Sequence, residues 1–159
     1  MSKLSPGGSS GFLSPKSPTN STLAVYAVGT GYSLTNTAAA LDFGTTDPSL
    51  TLSAPGTYLI LARAKIDYTG ATFAAVRTIT LKLRRTNNTA ADLTSGSTTF
   101  LTQIITTLTF TAGVVSLPPV IYTTTNANDA ITIFGDVDTV PTAGSADISA
   151  AEIVAIRLS

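Results

Sequence analysis

Apolar and polar positions alternate along this chain in one short segment after another, and each segment predicts a strand. Residues 22–28 (TLAVYAV) are apolar and rich in residues that favour strands, and the Gly29-Thr30-Gly31 step is expected to end them. Residues 38–43 and 49–53 read as short strands around a turn at 44–48, and Ala54-Pro55-Gly56 makes the next turn. Residues 58–68 (YLILARAKIDY) predict one long strand. Tyr58, Ile60, Ala62, Ala64, Ile66 and Tyr68 share one face. Leu59, Leu61, Arg63, Lys65 and Asp67 share the other, which turns charged halfway along. That is the pattern of a strand buried on both sides at its start and wet on one side at its end.

Residues 73–85 continue with Ile79, Leu81 and Leu83 alternating against Thr78, Thr80, Lys82 and Arg84. Residues 86–96 read as a polar loop. Residues 98–111 form an uncharged strand with two semi-apolar faces, one carrying Leu101, Gln103, Ile105 and Thr107. Such a strand fits either a core position or one face in a subunit interface. Pro118-Pro119 cannot donate to a ladder, so residues 114–125 predict an edge strand or a strand broken in the middle. Residues 130–134 are a short apolar strand and 135–144 a loop. In the last strand, 148–158, Ile148, Ala150, Glu152, Val154, Ile156 and Leu158 are expected on one face. No segment has a capped helical period. Eight or nine strands with turn signals between them indicate a two-sheet sandwich, jelly roll or small barrel.

The first 21 residues stand apart. Pro6, Gly7, Gly8, Gly11, Pro15 and Pro18 are spaced by serines, a composition that buries too little apolar surface to offset chain entropy. The chain therefore divides into an extended arm, 1–21, and a β domain, 22–159. Leu4 and the pair Phe12-Leu13 interrupt the arm, so the segment reads either as a floppy terminus or as an arm that orders on a partner with Leu4, Phe12 and Leu13 as apolar anchors, since a plain linker has no use for a Phe-Leu pair.

Composition then narrows the chemistry. The 159 residues include 29 Thr, 21 Ala and 16 Ser, and charged residues make up 11%, against about 25% in ordinary domains. There is no His and no Cys, which excludes disulfides, thiol nucleophiles, His-based triads and Cys/His zinc sites. Glu152 is the only Glu, and its place on an apolar strand face favours a paired side chain over a catalytic one. Asp129, Asp136, Asp138 and Asp147 read as solvated loop carboxylates, with an oxygen-ligand calcium site as the alternative. Gly29-Thr30-Gly31 has neither the third glycine nor the helix of a dinucleotide loop. No cofactor, no metal and no enzymatic activity are expected.

Nine basic and nine acidic residues cancel, so the electrostatic footprint of a nucleic-acid binder is missing, and no apolar run is long enough to span a membrane. The lack of an apolar run near the start also argues against a signal peptide. Arg63, Lys65, Arg77, Lys82, Arg84 and Arg85 gather six of the nine basic residues in the middle of the chain. They form a candidate basic docking face, or simply solvated strand faces.

Residues 50–59 (LTLSAPGTYL), a short strand passing through a Pro/Gly/Tyr turn into a long apolar strand, resemble a motif of the C1q/TNF-like jelly rolls. Residues 121–138 (IYTTTNANDAITIFGDVD) are similar to that family's late strand, polar turn and penultimate strand. The terminal 152–158 (EIVAIRL) resembles its closing strand. The resemblance, over residues 38–159, implies an all-β, two-sheet antiparallel jelly-roll sandwich behind the arm. It also implies a homotrimer about an apolar axis, for which 98–111 and the terminal strand are suited.

Low-charge, Cys-free, Thr/Ala/Gly-rich chains with this plan also look like bacteriophage virion proteins. The expected function is a structural one on the virion surface: a trimeric capsid decoration, cement or head-fibre protein. Its arm would grip the major capsid protein or another virion protein. The alternative is the glycan-binding tip of a tail fibre, with Tyr32, Tyr68, Phe73 and Tyr122 as candidate sugar contacts. A secreted adhesion module ranks below both.

Overall fold

The computed structural model describes residues 22–44, 46–72, 77–100 and 113–159. These form ten strands and, among the described residues, no helix. They are β1 (Thr22–Ser33), β2 (Ala39–Ala40), β3 (Ser49–Leu52), β4 (Gly56–Thr72), β5 (Arg77–Arg85), β6 (Ala91–Phe100), β7 (Gly113–Ser116), β8 (Val120–Thr124), β9 (Asp129–Val137) and β10 (Ala143–Arg157). Two five-stranded antiparallel sheets result. The first runs β1-β10-β4, and the free edge of β4 is shared by β7 and β8. The second runs β6-β5-β9, and the free edge of β9 is shared by β2 and β3.

The core lies between them. Tyr58, Ile60, Ala62, Ala64 and Ile66 of β4, with Ile148, Ala151, Ile153 and Ala155 of β10, face Ile79, Leu81 and Leu83 of β5 and Ile131, Ile133 and Val137 of β9. The period of two seen in β4 and β5 is therefore the alternation between core and outside.

Several boundaries differ from the sequence reading, each for a local reason. Gly29-Thr30-Gly31 does not end β1. Between Val28 and Tyr32 the chain advances four residues while β10 advances two, from Ala150 to Ile148, and Gly31 takes φ +94, so two extra residues are absorbed as an irregular bulge. In β10 a second bulge between Ile148 and Ala150 reverses the faces. Ile148 points to the core, but beyond the bulge Ala151, Ile153 and Ala155 do so, and Ala150, Glu152, Val154 and Ile156 move to the outside. The single face expected for Ile148 through Leu158 is thus split. Of the strand expected at 38–43, Ala39–Ala40 form β2, and the Leu41 amide adds one bond to the Ile133 carbonyl at 3.0 Å.

The polar stretch at 86–96 is a loop only as far as residue 90. From Ala91 it forms β6, which pairs with β5 and, among the described residues, with no other strand. The Pro118-Pro119 break is where it was expected, between β7 and β8, which follow one another along β4.

The loop expected from 135 is also shorter, because β9 continues to Val137. Gly135 sits inside it, and a Cβ there would come within 3.0–3.1 Å of methyls of Leu34, Leu41 and Leu81. All three leucines are in the core. Gly135→Val is expected to overpack this site and cost about 1–3 kcal/mol, read as an earlier midpoint in chemical denaturation with an unchanged slope.

The turn that carries the family resemblance has a physical role. Tyr58 Oη donates to the Ala54 carbonyl at 2.7 Å and closes the turn. Arg157 Nη2 donates to the Pro55 carbonyl at 2.8 Å, and the Leu158 amide to the Thr57 carbonyl at 2.7 Å. The chain end is thereby tied to the start of β4. At Gly56 a Cβ would collide with the Ser159 carbonyl oxygen, so the close approach needs glycine.

Candidate assembly face

The two outer faces of the sandwich differ in kind. Outside the second sheet the side chains are polar and charged. Lys82 and Arg84 of β5 both reach Asp92 of β6, at 3.4 and 3.6 Å. The Arg84 guanidinium lies 5.5 Å from the Phe134 ring centre, and the hydroxyls of Ser49 and Thr132 are 2.8 Å apart. Among the described residues this face is polar and ion-paired, although Thr132 is covered.

The outside of the first sheet is not. The registers of β1, β10, β4, β8 and β7 line its outward side chains into rows across the strands. One row is Thr22, Ile156, Leu59 and Ile121. The next is Ala24, Val154 and Leu61. The third is Tyr26, Glu152, Arg63 and Ser116, and the fourth Val28, Ala150, Lys65 and Val114. Tyr26, Val114 and Ile121 are 65–68% exposed. Large apolar side chains contiguous on one exposed sheet face mark an interaction surface. Two grooves are cut into it, of 130 and 430 Å³, and Arg63 and Glu152 line both. The larger is also lined by Leu61, Leu117, Pro119 and Val154.

Charge on this face is nearly balanced. Arg63 and Glu152 stand directly opposite in the β4–β10 register, with Arg63 Nε and Nη2 both 2.6 Å from Glu152 Oε2. Lys65 pairs with Asp67 at 3.0 Å. Beyond the fourth row the face turns polar, where Asp147 accepts from Ser33 Oγ at 2.5 Å and from Ser145 Oγ.

The basic residues gathered by the sequence do not share one sheet. Arg63 and Lys65 lie on β4 of the first sheet; Lys82, Arg84 and Arg85 lie on β5 of the second, which Arg77 begins. Each of the first five has a carboxylate partner, Arg85 meeting Asp129 at 4.0 Å. Leu4, Phe12 and Leu13 of the arm, and Leu101, Gln103, Ile105 and Thr107, lie outside the described residues, as does Phe73.

Asp129 is neither in a loop nor solvated. It opens β9 with its side chain fully buried. Its carboxylate accepts from Thr124 Oγ1 at 2.5 Å, Tyr122 Oη at 2.6 Å and Asn88 Nδ2 at 2.7 Å. Burial raises its pKa, but these donors and Arg85 outweigh burial and hold it below the ordinary value. Burial, then the neighbouring Asp129, push the Tyr122 hydroxyl above its ordinary value. Tyr122 thus serves the fold and is not a free sugar contact. Among the described residues no three acidic side chains are grouped to hold a metal ion.

No family model matches the chain, and no curated protein matches its sequence. Solved structures do. The globular domain of zebrafish complement 1qA protein aligns over 88% of this chain and 98% of its own, at 12% identity and a TM-score of 0.53. A structure of infectious bursal disease virus, Gx strain, aligns over 88% of this chain and 31% of its own, at 11% identity and 0.46. Eiger TNF from S. frugiperda aligns over 86% and 85%, at 14% identity and 0.41. At these identities the likeness is one of fold. The chain is an all-β, two-sheet antiparallel jelly roll of the C1q/TNF-like kind.

Proposed function

We propose that this chain is a non-enzymatic structural subunit that assembles as a homotrimer through the outer face of its first sheet. The observation that carries the reading is the contrast between the two outer faces, one polar along its described residues, the other lined by Leu59, Leu61, Val114, Ile121, Val154 and Ile156. The occupant is a second copy, because the face holds matched charges of both signs and so complements itself. A strongly charged partner has nothing to read there. Three-fold closure is the assembly that the C1q/TNF-like resemblance implies.

The finer reading is a virion protein, a capsid decoration, cement or head-fibre subunit of a bacteriophage, with residues 1–21 as the arm that holds the shell. What supports it is the low charge, the Thr/Ala/Ser bulk and the Pro/Gly/Ser arm with its apolar anchors at Leu4, Phe12 and Leu13. A fold alone does not choose a function, so this rests on composition and plan.

Light scattering on the full chain and on residues 22–159 at micromolar concentration tests both parts. The full chain is expected at three times 16.2 kDa, about 49 kDa, and the shortened one as a trimer too. Only the full chain is expected to sediment with shell particles. Monomers in both preparations overturn the trimer; a shortened chain that still binds the shell overturns the arm.

A further inference from the structure

The Arg63–Glu152 pair stands in the middle of an apolar face, where assembly would take it out of water. Its geometry is lopsided. Arg63 Nε and Nη2 both close on the single oxygen Oε2. Among the described residues, Oε1 of Glu152 and Nη1 of Arg63 have no hydrogen bond of their own. Each subunit thus offers one charged acceptor and one charged donor from the same spot. A buried charge-assisted group left half-satisfied is costly, so the contact surface must supply partners for both.

We infer that the two groups are exchanged between copies: Nη1 of Arg63 in one subunit donates to Oε1 of Glu152 in the next. Three such contacts around a three-fold axis close a ring of alternating guanidinium and carboxylate groups, with every donor and acceptor used. The ring sets the register in which the apolar rows meet, since a slid or inverted copy would leave both groups unpaired. The inference rests on the trimer proposed above.

The test uses full-length Arg63→Glu and Glu152→Arg chains, separately, mixed in equal amounts, and combined as a charge swap in one chain, all by sedimentation velocity. Arg63 is mostly exposed in the single subunit and Glu152 half-buried at the open face, so unchanged circular dichroism is expected for each variant. Arg63→Gln and Glu152→Gln replace either one that does not fold and are expected to assemble about tenfold more weakly.

Each charge reversal alone is expected to weaken assembly by at least about 100-fold. The swap restores it. The equal mixture also reassociates, because two of the three contacts in a mixed trimer then join opposite charges. Single reversals that remain trimeric, or a mixture that stays monomeric, overturn the exchange and leave the trimer standing. A monomeric unsubstituted chain overturns the trimer itself.

Discussion

Asp129→Ala is expected to lower the melting temperature by about 10 °C. The substitution strands the hydroxyls of Tyr122 and Thr124, the amide of Asn88 and the mostly covered guanidinium of Arg85. Breaking a buried charged network from one side costs about 3–5 kcal/mol, and a domain of this size loses about 2–4 °C per kcal/mol. The loss extends beyond one side chain. The same end of the sandwich holds Asn87 against Asn128 and Ala130, and Thr86 against Ala130, so the β5–β6 loop is clamped to the start of β9.

The pH dependence has a definite sign. The folded pKa of Asp129 lies below its ordinary 3.8, so its contribution is complete above that value and fades as the pH falls through the lower folded one. Tyr122 titrates above its ordinary 10.0, so its contribution is present below pH 10 and is lost as the pH rises through the higher folded value. Melting curves of both chains from acid to alkaline pH check this. Asp129→Ala should lack the acid limb, and an Asp129→Ala chain that melts with the parent sinks the clamp.

How much of this was legible depended on whether the period of two ran unbroken. It does in β4 and β5, and there the assignment of Ile60, Ala64, Ile79, Leu81 and Leu83 to the core follows from alternation alone. It breaks in β10, where one extra residue at the bulge between Ile148 and Ala150 moves every later side chain to the other face, and in β1, where two extra residues are taken up between Val28 and Tyr32. A bulge has no reliable mark in a single sequence. The glycines of Gly29-Thr30-Gly31 signal a turn as readily as a bulge, and Ser149 signals neither.

Without its bulge, the alternation of β10 puts Glu152 on one face with Ile148. The outward row of Glu152, Val154 and Ile156 could not be joined to Leu59 and Leu61 of β4. The same limit hides the candidate assembly face. Leu59 and Leu61 looked like burial fading along a strand, when they are the β4 share of an outward apolar surface completed by strands far off in sequence. Asp129 is hidden in the sequence for another reason. The polar run at 123–129 signals a turn, and only the fold brings Asn88 and Arg85 to the carboxylate that follows it.

Val154→Asp is expected to abolish trimer formation while leaving the subunit folded, and Ile121→Asp to do the same. Both residues point away from the core, on different strands of the first sheet, and Ile121 is 68% exposed in the single subunit. An aspartate at Ile121 remains hydrated in the monomer, where surface substitutions shift stability by about 0.5 kcal/mol or less; at the half-buried Val154 it reaches water through the groove beside it, at a somewhat larger cost. In the trimer it would be buried without a partner among apolar side chains. Truncating a central apolar anchor of an interface costs about 2 kcal/mol or more, and burying an unpaired charge adds several. The sum corresponds to a weakening of about 1,000-fold or more.

Thr51→Asp is the matched control. Thr51 is exposed on β3, in the second sheet, so the same charge lands on the face that stays wet. Sedimentation of the three variants beside the parent decides between the faces. Loss of the trimer in Val154→Asp and Ile121→Asp, with Thr51→Asp unaffected, places the contact on the first sheet. Loss in Thr51→Asp alone would move it to the second sheet, and the exposed rows of Tyr26, Val114 and Ile121 would need another occupant.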